Sequence, residues 1–439
     1  MISKFKDFIK ISFVQDVGIL EIGKFFSIFL SIASSIILAR LLHPELYGVY
    51  GLIFAFVGLV GIFMSWGGDF ASLTLLSEAY AKKDKQEVKN ILTYFVKVTL
   101  LAICIVGILS VFLAPFLTGL LYNDSQIGNW AKIVLLASFL GVVYGLLIIV
   151  LQSIRKIKQL TILEVFNKFV YTLFPIIFVL LGFGLTGIVW GYFISSFIFL
   201  VLAIFLYSFL IKKDEFLPNL SQIFSNFRKI KFKKYFNFGF LIAIDKNISR
   251  FVSLLPVIFL GIFASMQDIG YFKIALGYIV IPSMILEPIS RLLTVQLPKS
   301  KSYNSQTLKE HFYKTAIYSG LISVLLAIPF VMLAPYLIKL FYGMEYIPSI
   351  QLVYYLSVLI IFSGFSVGIG AFYRTVNRMK TSITINIFYT ISIILLIFIL
   401  IKFYNPLMSV ILSLIISAII FLVLHFYIIR RIFKGYEKN

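Results

Sequence analysis

The sequence predicts an all-α integral membrane protein: twelve transmembrane helices in two six-helix lobes, related by a pseudo-twofold axis around a central cavity. Three observations predict it. Of the 439 residues, 61% are hydrophobic and 13% charged, where a soluble domain carries about 25% charged residues. The apolar residues gather into runs of the length, about 20 residues, that crosses a bilayer. Finally, charged positions recur at one offset in the two halves, Lys24 with Lys246 and Asp69 with Arg291.

The opening MISKFKDFIKISFV sets Phe5, Phe8, Ile9 and Phe13 among Lys4, Lys6 and Lys10, which reads as an interfacial amphipathic helix over residues 1–14. No cleavable signal peptide is expected, because the first apolar run is long and no small-residue cleavage site ends it. Crossings are expected near 17–42, 46–66, 91–113, 131–152, 161–182 and 186–211, then near 238–263, 269–296, 315–338, 350–373, 381–401 and 407–429. The second and sixth contain no charge; the first, seventh and eighth do, and their assignment leans on the pattern of the others. The links at 182–186 and 264–268 leave room only for tight hairpins.

Basic residues set the orientation. They crowd the segments around 4–10, 82–89, 155–158, 212–234, 299–314, 374–380 and 430–438, while the other side has at most Arg40, Lys132, Lys273, Lys339 and Lys402. Positive charge marks the cytoplasmic side. Both termini and the basic segment 212–237 are therefore expected in the cytoplasm, with an N-lobe over 15–211 and a C-lobe over 238–439. This distribution, in short segments between apolar runs, argues against nucleic acid as the reason for the net charge of +21. The single cysteine, Cys104, excludes an internal disulfide. His43, His311 and His425 are far apart in sequence and read as interfacial or loop residues, so neither a metal nor a cofactor is expected.

The halves resemble each other. LAPFLTGLLY (113–122) aligns with LAPYLIKLFY (333–342), GVVYG (141–145) with GFSVG (364–368), and Gly48 with Gly270, in order and at a nearly constant offset. Each half holds an even number of crossings, so both enter from the same side. Parallel repeats of this kind are a transporter architecture, with a substrate site between them.

The stretch ILARLLHPELYGVYGLIFAFVGLVGIFMSWGGDFASLTLLSEAYAKKDKQEVKNIL (37–92), with its arginine ending the first helix, its Pro-x-x-x-Gly turn and the glycine-rich end of the second helix, resembles the opening of polysaccharide-type flippases. LQSIRKIKQ (151–159) fits the same pattern. These are the O-antigen-type members of the multidrug/oligosaccharidyl-lipid/polysaccharide exporter superfamily. The resemblance implies alternating-access movement of polyprenyl-diphosphate-linked oligosaccharide from the cytoplasmic to the outer leaflet of the cell inner membrane, for surface polysaccharide assembly. It implies lipid-linked oligosaccharide and membrane lipid as partners, glycosyltransferases or a polymerase of the same pathway alongside, and a functional monomer. Two other readings stay open: a cation-coupled multidrug exporter of the same superfamily, and a lipid II-type flippase, although lipid II flippases usually carry two further crossings.

The candidate site residues are the ionisable groups within the expected crossings, because such groups are costly in hydrocarbon and face protein or water instead. They are the cations Lys24, Lys246, Arg250 and Arg291 and the acids Glu21, Asp69, Asp245 and Glu287. At about 1.5 Å per residue, Lys24 and Lys246 lie roughly 10 Å inside the cytoplasmic helix ends, so the set belongs to an inward-facing vestibule. An arginine fork and a lysine point charge suit the oxygens of the diphosphate that the resemblance implies. The four acids balance the four cations, so the charges either bind substrate and a coupling ion or pair with one another. Pro282 and Pro288 flank the charged part of the eighth crossing, as a hinge or a static kink. Catalysis is not expected: the sequence has no phosphate-binding glycine loop, no nucleophile elbow and no metal signature.

Overall fold

Hydrocarbon offers no water to backbone N–H and C=O groups, so a chain this apolar must satisfy them within itself, and helices do so locally. The computed structural model describes residues 12–436, apart from the side chains of residues 12–14, Phe238, Leu241, Arg291 and Val295. Residues 1–11, most of the expected interfacial helix, lie outside that range. Among the described residues every regular element is a helix.

Helix α1 (Ser12–Met64) holds the first two expected crossings and is broken at His43, where φ is 59° and ψ 167°, immediately before Pro44. Proline removes a helix donor and clashes with the preceding turn, which is why the break falls there. A second break, with Gly67 at φ 78°, leads into α2 (Gly68–Ala81). Helix α3 (Lys85–Ala102) begins where the Asp84 carboxylate accepts the Glu87 amide, and it passes through a π segment, Ile103–Gly107, into α4 (Ile108–Tyr122). Helices α5 (Ser125–Leu140) and α6 (Val142–Ser153) meet at Gly141 with a 42° bend. Helix α7 (Ile157–Phe178) runs through a π segment into α8 (Gly184–Lys213); Gly182 at φ 89° and Gly184 at φ 52° form the hairpin expected there.

The short α9 (Leu220–Ser225) opens on a reciprocal cap between Asn219 and Gln222. Helix α10 (Phe232–Phe263) and α11 (Met266–Ile285) are joined by the second short link, in which Ser265 caps α11 by accepting the Asp268 amide. Then come α12 (Glu287–Tyr303), α13 (Ser305–Tyr342), α14 (Pro348–Leu356), α15 (Val358–Phe365), α16 (Ile369–Thr375), α17 (Met379–Leu400) and α18 (Pro406–Tyr436).

Among the described residues nine helices are long and apolar enough to cross a membrane, or ten counting the bent α5–α6 pair. Two of the nine hold the breaks at His43 and at Gly182–Gly184. The longer, 57 residues, would span about 85 Å if straight, nearly three times a hydrocarbon core of about 30 Å. Counted as two crossings each, the broken helices make the total consistent with the twelve expected.

The chain divides into two compact units, Met1–Leu42 with Leu52–Arg250, and His43–Gly51 with Phe251–Asn439. The first is built on a core around Tyr94, Leu147, Phe199 and Tyr207. Its basic segment 212–237 is packed rather than extended. Asn226 donates to Asn90 Oδ1 at 3.0 Å, Lys97 to the Phe227 carbonyl at 2.7 Å, and Lys234 to Glu87 Oε1 at 2.6 Å, fastening the segment to α3. The second unit has a core around Phe312, Phe372, Tyr373 and Phe433. His425, expected at an interface or in a loop, lies instead buried in α18, where Tyr373 OH at 3.0 Å gives its Nδ1 a polar partner. In this unit the 43–51 segment packs on α11: a Cβ on Gly48 would collide with Met266 O, and one on Gly270 with Pro44 O. Only glycine lets two backbones approach this closely.

Candidate functional site

The site is assembled where α10 meets the break between α1 and α2, inside the first unit. Gly67 and Gly239 touch backbone to backbone, and a Cβ on either would strike the other's carbonyl. Two turns further along α10, Asn247 donates its amide to the carbonyls of Ile62, at 3.2 Å, and Ser65, at 3.0 Å. The Ile62 carbonyl also accepts the Ser65 N–H at 3.2 Å, and Ser65 follows the last residue of α1, so Asn247 fastens the end of α1 and the residue after it to α10. With two carbonyls to serve, its nitrogen must face α1, and this fixes the rotation of α10.

That rotation brings Arg250, one turn beyond Asn247, to a cavity of about 380 Å³. Its apolar walls come from Met64, Trp66, Phe95, Val98, Ile103, Leu135 and Val142, and Gly61, Gly67, Gly68 and Gly141 leave room along them. The polar lining is Ser65, Thr99, Ser138, Asp69 and Arg250. Asp69 lies in the first turn of α2, where the helix dipole favours a carboxylate. Trp66 is held by donating its ring N–H to the Phe63 carbonyl at 2.9 Å. The arrangement offers one guanidinium fork, one carboxylate and three hydroxyls inside an apolar wall. It suits recognition of a charged group.

Of the eight predicted ionisable residues, the structure brings Asp69 and Arg250 to this one cavity. Glu21 and Lys24 lie half-buried on α1, each engaged in an interaction. Asp245 is half-buried and Lys246 exposed, both on α10 in the first unit. Glu287 stands half-buried in the first turn of α12, and the side chain of Arg291, on the same helix, lies outside the described residues. Pro282, within α11, and Pro288, at the start of α12, flank the interruption at Leu286. Among the described residues no group of three or more His, Cys, Asp or Glu side chains is placed to hold a metal ion.

Sequence reasoning missed three residues. Asn247 could have been found as an uncharged polar side chain one turn from Arg250 in an apolar run. Trp66 stood beside the glycine pair 67–68 already noted. Lys273, expected on the outer side, was not read as a ring partner: its ammonium lies 4.4 Å from the Tyr47 ring centre and 4.1 Å from that of Tyr50.

The profile of a family described as polysaccharide biosynthesis protein matches residues 37–351, which include the α1–α2 break, Asp69, Asn247 and Arg250. The chain belongs to this polysaccharide biosynthesis protein family. As a member it is a multi-pass membrane protein, with a fold shared by solved transporters. Its similarity to an inward-facing multidrug resistance MATE family transporter of the MOP superfamily has a TM-score of 0.73 at 14% identity, over 94% of this chain and 96% of that one. To the lipid II flippase MurJ, in an inward closed conformation, the TM-score is 0.68 at 18% identity, over 94% and 87%. To an outward-facing MATE family transporter it is 0.62 at 16% identity, over 96% and 95%. At these identities the likeness is one of fold. Comparison with curated protein sequences gives no match.

Proposed function

We propose that this family member is a flippase moving polyprenyl-diphosphate-linked oligosaccharide from the cytoplasmic to the outer leaflet of the cell inner membrane by alternating access, in surface polysaccharide assembly. The observation that carries the reading is the placement of Arg250 and Asp69 on one cavity of a polysaccharide biosynthesis family member. A guanidinium presents two parallel donors to a phosphate, a stronger and more directional match than a single ammonium. Asp69 supplies the opposing charge, which Arg250 gives up as the diphosphate arrives. Lys24, Lys246 and Arg291 extend the cationic set, and Glu21, Asp245 and Glu287 balance it when no substrate is bound. Pro282 and Pro288 serve as the hinge between α11 and α12. In this reading the protein works as a monomer, with both termini and segment 212–237 in the cytoplasm, and receives its cargo from glycosyltransferases.

The test is delivery of lipid-linked sugar to the outer leaflet in cells carrying single substitutions. Arg250→Ala and Lys24→Ala abolish delivery while protein in the membrane stays at the wild-type level. Arg250→Lys retains part of it, because a point charge replaces the fork. Full transport by an Arg250→Ala, Asp69→Ala double variant would show that the two merely pair, and would sink the assignment.

A further inference from the structure

The 380 Å³ cavity is assigned above to the charged headgroup, yet a lipid-linked substrate also has a long apolar tail that must stay out of water throughout. The same unit carries a second concavity of a different kind, formed by the first half of α1 and by α7. The helices touch at Gly23, where a Cβ would collide with Thr161 Cγ2, and an ion pair of 2.7 Å between Asp16 and Arg155 fastens the base of α1 to the turn before α7. Between the two helices lies a groove of about 790 Å³, within the size range of small-molecule sites. Its walls are Ile22, Phe26 and Phe29 on α1 and Ile162, Phe166 and Phe169 on α7, all exposed. Lys158 stands at the start of the α7 face, which continues through Ile162 and Phe166 to Phe169, with Arg155 and Lys156 just before it.

We infer that this groove seats the polyprenyl chain of the substrate, with Lys158 facing the phosphate end. The inference rests on the flippase reading and deepens it. Three features favour one occupant. The groove is apolar along its length and cationic at one end, the charge pattern of an isoprenoid phosphate. Four phenylalanines, Phe26, Phe29, Phe166 and Phe169, supply apolar contact area for a methyl-branched chain. Its floor is set by the Gly23–Thr161 contact, and both of its walls belong to the same unit.

The purified full-length protein, in phosphatidylcholine nanodiscs, is titrated with a long-chain polyprenyl monophosphate, and separately with phosphatidylglycerol and with the uncharged polyprenyl alcohol. The wild type binds the polyprenyl phosphate at least tenfold more tightly than phosphatidylglycerol. Ile162→Trp, which fills the groove, weakens that binding tenfold or more, and Phe112→Trp, on an exposed position of α4, leaves it unchanged. Lys158→Ala weakens binding of the phosphate and not of the alcohol. Should Ile162→Trp fail to accumulate, Phe166→Ala carries the same expectation, since it removes a ring without touching Gly23 or Thr161. Equal affinity for phosphatidylglycerol, marking an ordinary annular lipid site, would overturn the inference, as would undiminished binding by folded groove variants. Loss of transport in Arg250→Ala alongside undiminished binding in the groove variants would remove the groove and leave the flippase reading standing. Selective polyprenyl binding by a wild-type protein that delivers no lipid-linked sugar to the outer leaflet would keep the groove and remove the flippase reading.

Discussion

Gly48 and Gly270, the glycines that the internal repeat aligns, pack against each other: a Cβ on Gly48 would lie 3.1 Å from Gly270 N, besides colliding with Met266 O. A methyl group meeting backbone has nowhere to go. At Gly51 the obstacle is the Lys273 stem, which can swing away. Gly48→Ala should therefore lower the melting temperature of the purified protein far more than Gly51→Ala. Equal losses would mean that the backbones separate easily.

Lys273 and Tyr50 should be energetically coupled. With the ammonium 4.1 Å from the ring centre in a partly desolvated place, the cation–π attraction is on the order of 1–2 kcal/mol. A cycle of Lys273→Met, Tyr50→Leu and the double variant, read by thermal unfolding, should recover a coupling of that size. Additive effects would remove the interaction.

Asn247→Ala removes the side-chain donor from the carbonyls of Ile62 and Ser65, of which Ile62 O keeps the Ser65 N–H at 3.2 Å. A hydrogen bond contributes about 0.5–1.5 kcal/mol net, so this variant, which leaves the half-buried Ser65 carbonyl without that donor, should be less stable than wild type by about that much. It should also transport poorly even where protein level is restored by a lower growth temperature, because Arg250 is no longer held at the cavity. Wild-type transport by Asn247→Ala would show that α10 needs no such fastening.

Tyr80, on the α2 segment outside the crossings, donates to Asp214 Oδ2 at 2.6 Å. Burial, and then the hydrogen bond to Asp214, push its hydroxyl up to about 12 from an ordinary value near 10. The folded state thus holds this proton more tightly than the unfolded chain. The stability it contributes is complete below pH 10 and is lost as the pH rises toward 12. Tyr80→Phe should be less stable at neutral pH and should lose less stability than wild type between pH 10 and pH 12. Parallel losses across that window would assign alkaline unfolding to other groups.

Orientation is tested with alkaline phosphatase fusions. Those after Asn123 and Tyr346 should be active, and those after Lys85 and Lys229 inactive. Activity at Lys229 would invert the topology.

The sequence by itself determined what is local or additive. Apolar runs of crossing length set the helices, because backbone in hydrocarbon must bond within its own segment. The breaks at His43–Pro44 and at Gly182–Gly184 were legible because proline and glycine act on their own residue's backbone. The intramembrane charges were legible because each is costly wherever it faces. Tertiary structure decided how these pieces meet. Gly364 packs tightly, its Cβ position colliding with Ser323, whereas Gly141 and Gly368 in the same paired motifs bend the chain, Gly368 at φ 89°. The two motifs share the same glycine spacing, and the surroundings of each glycine separate packing from bending. So too with Arg250: eight charges were visible, and the rotation of α10 selected it to join Asp69. That rotation is set by Asn247 reaching carbonyls at Ile62 and Ser65, contacts so distant in sequence that no periodicity records them.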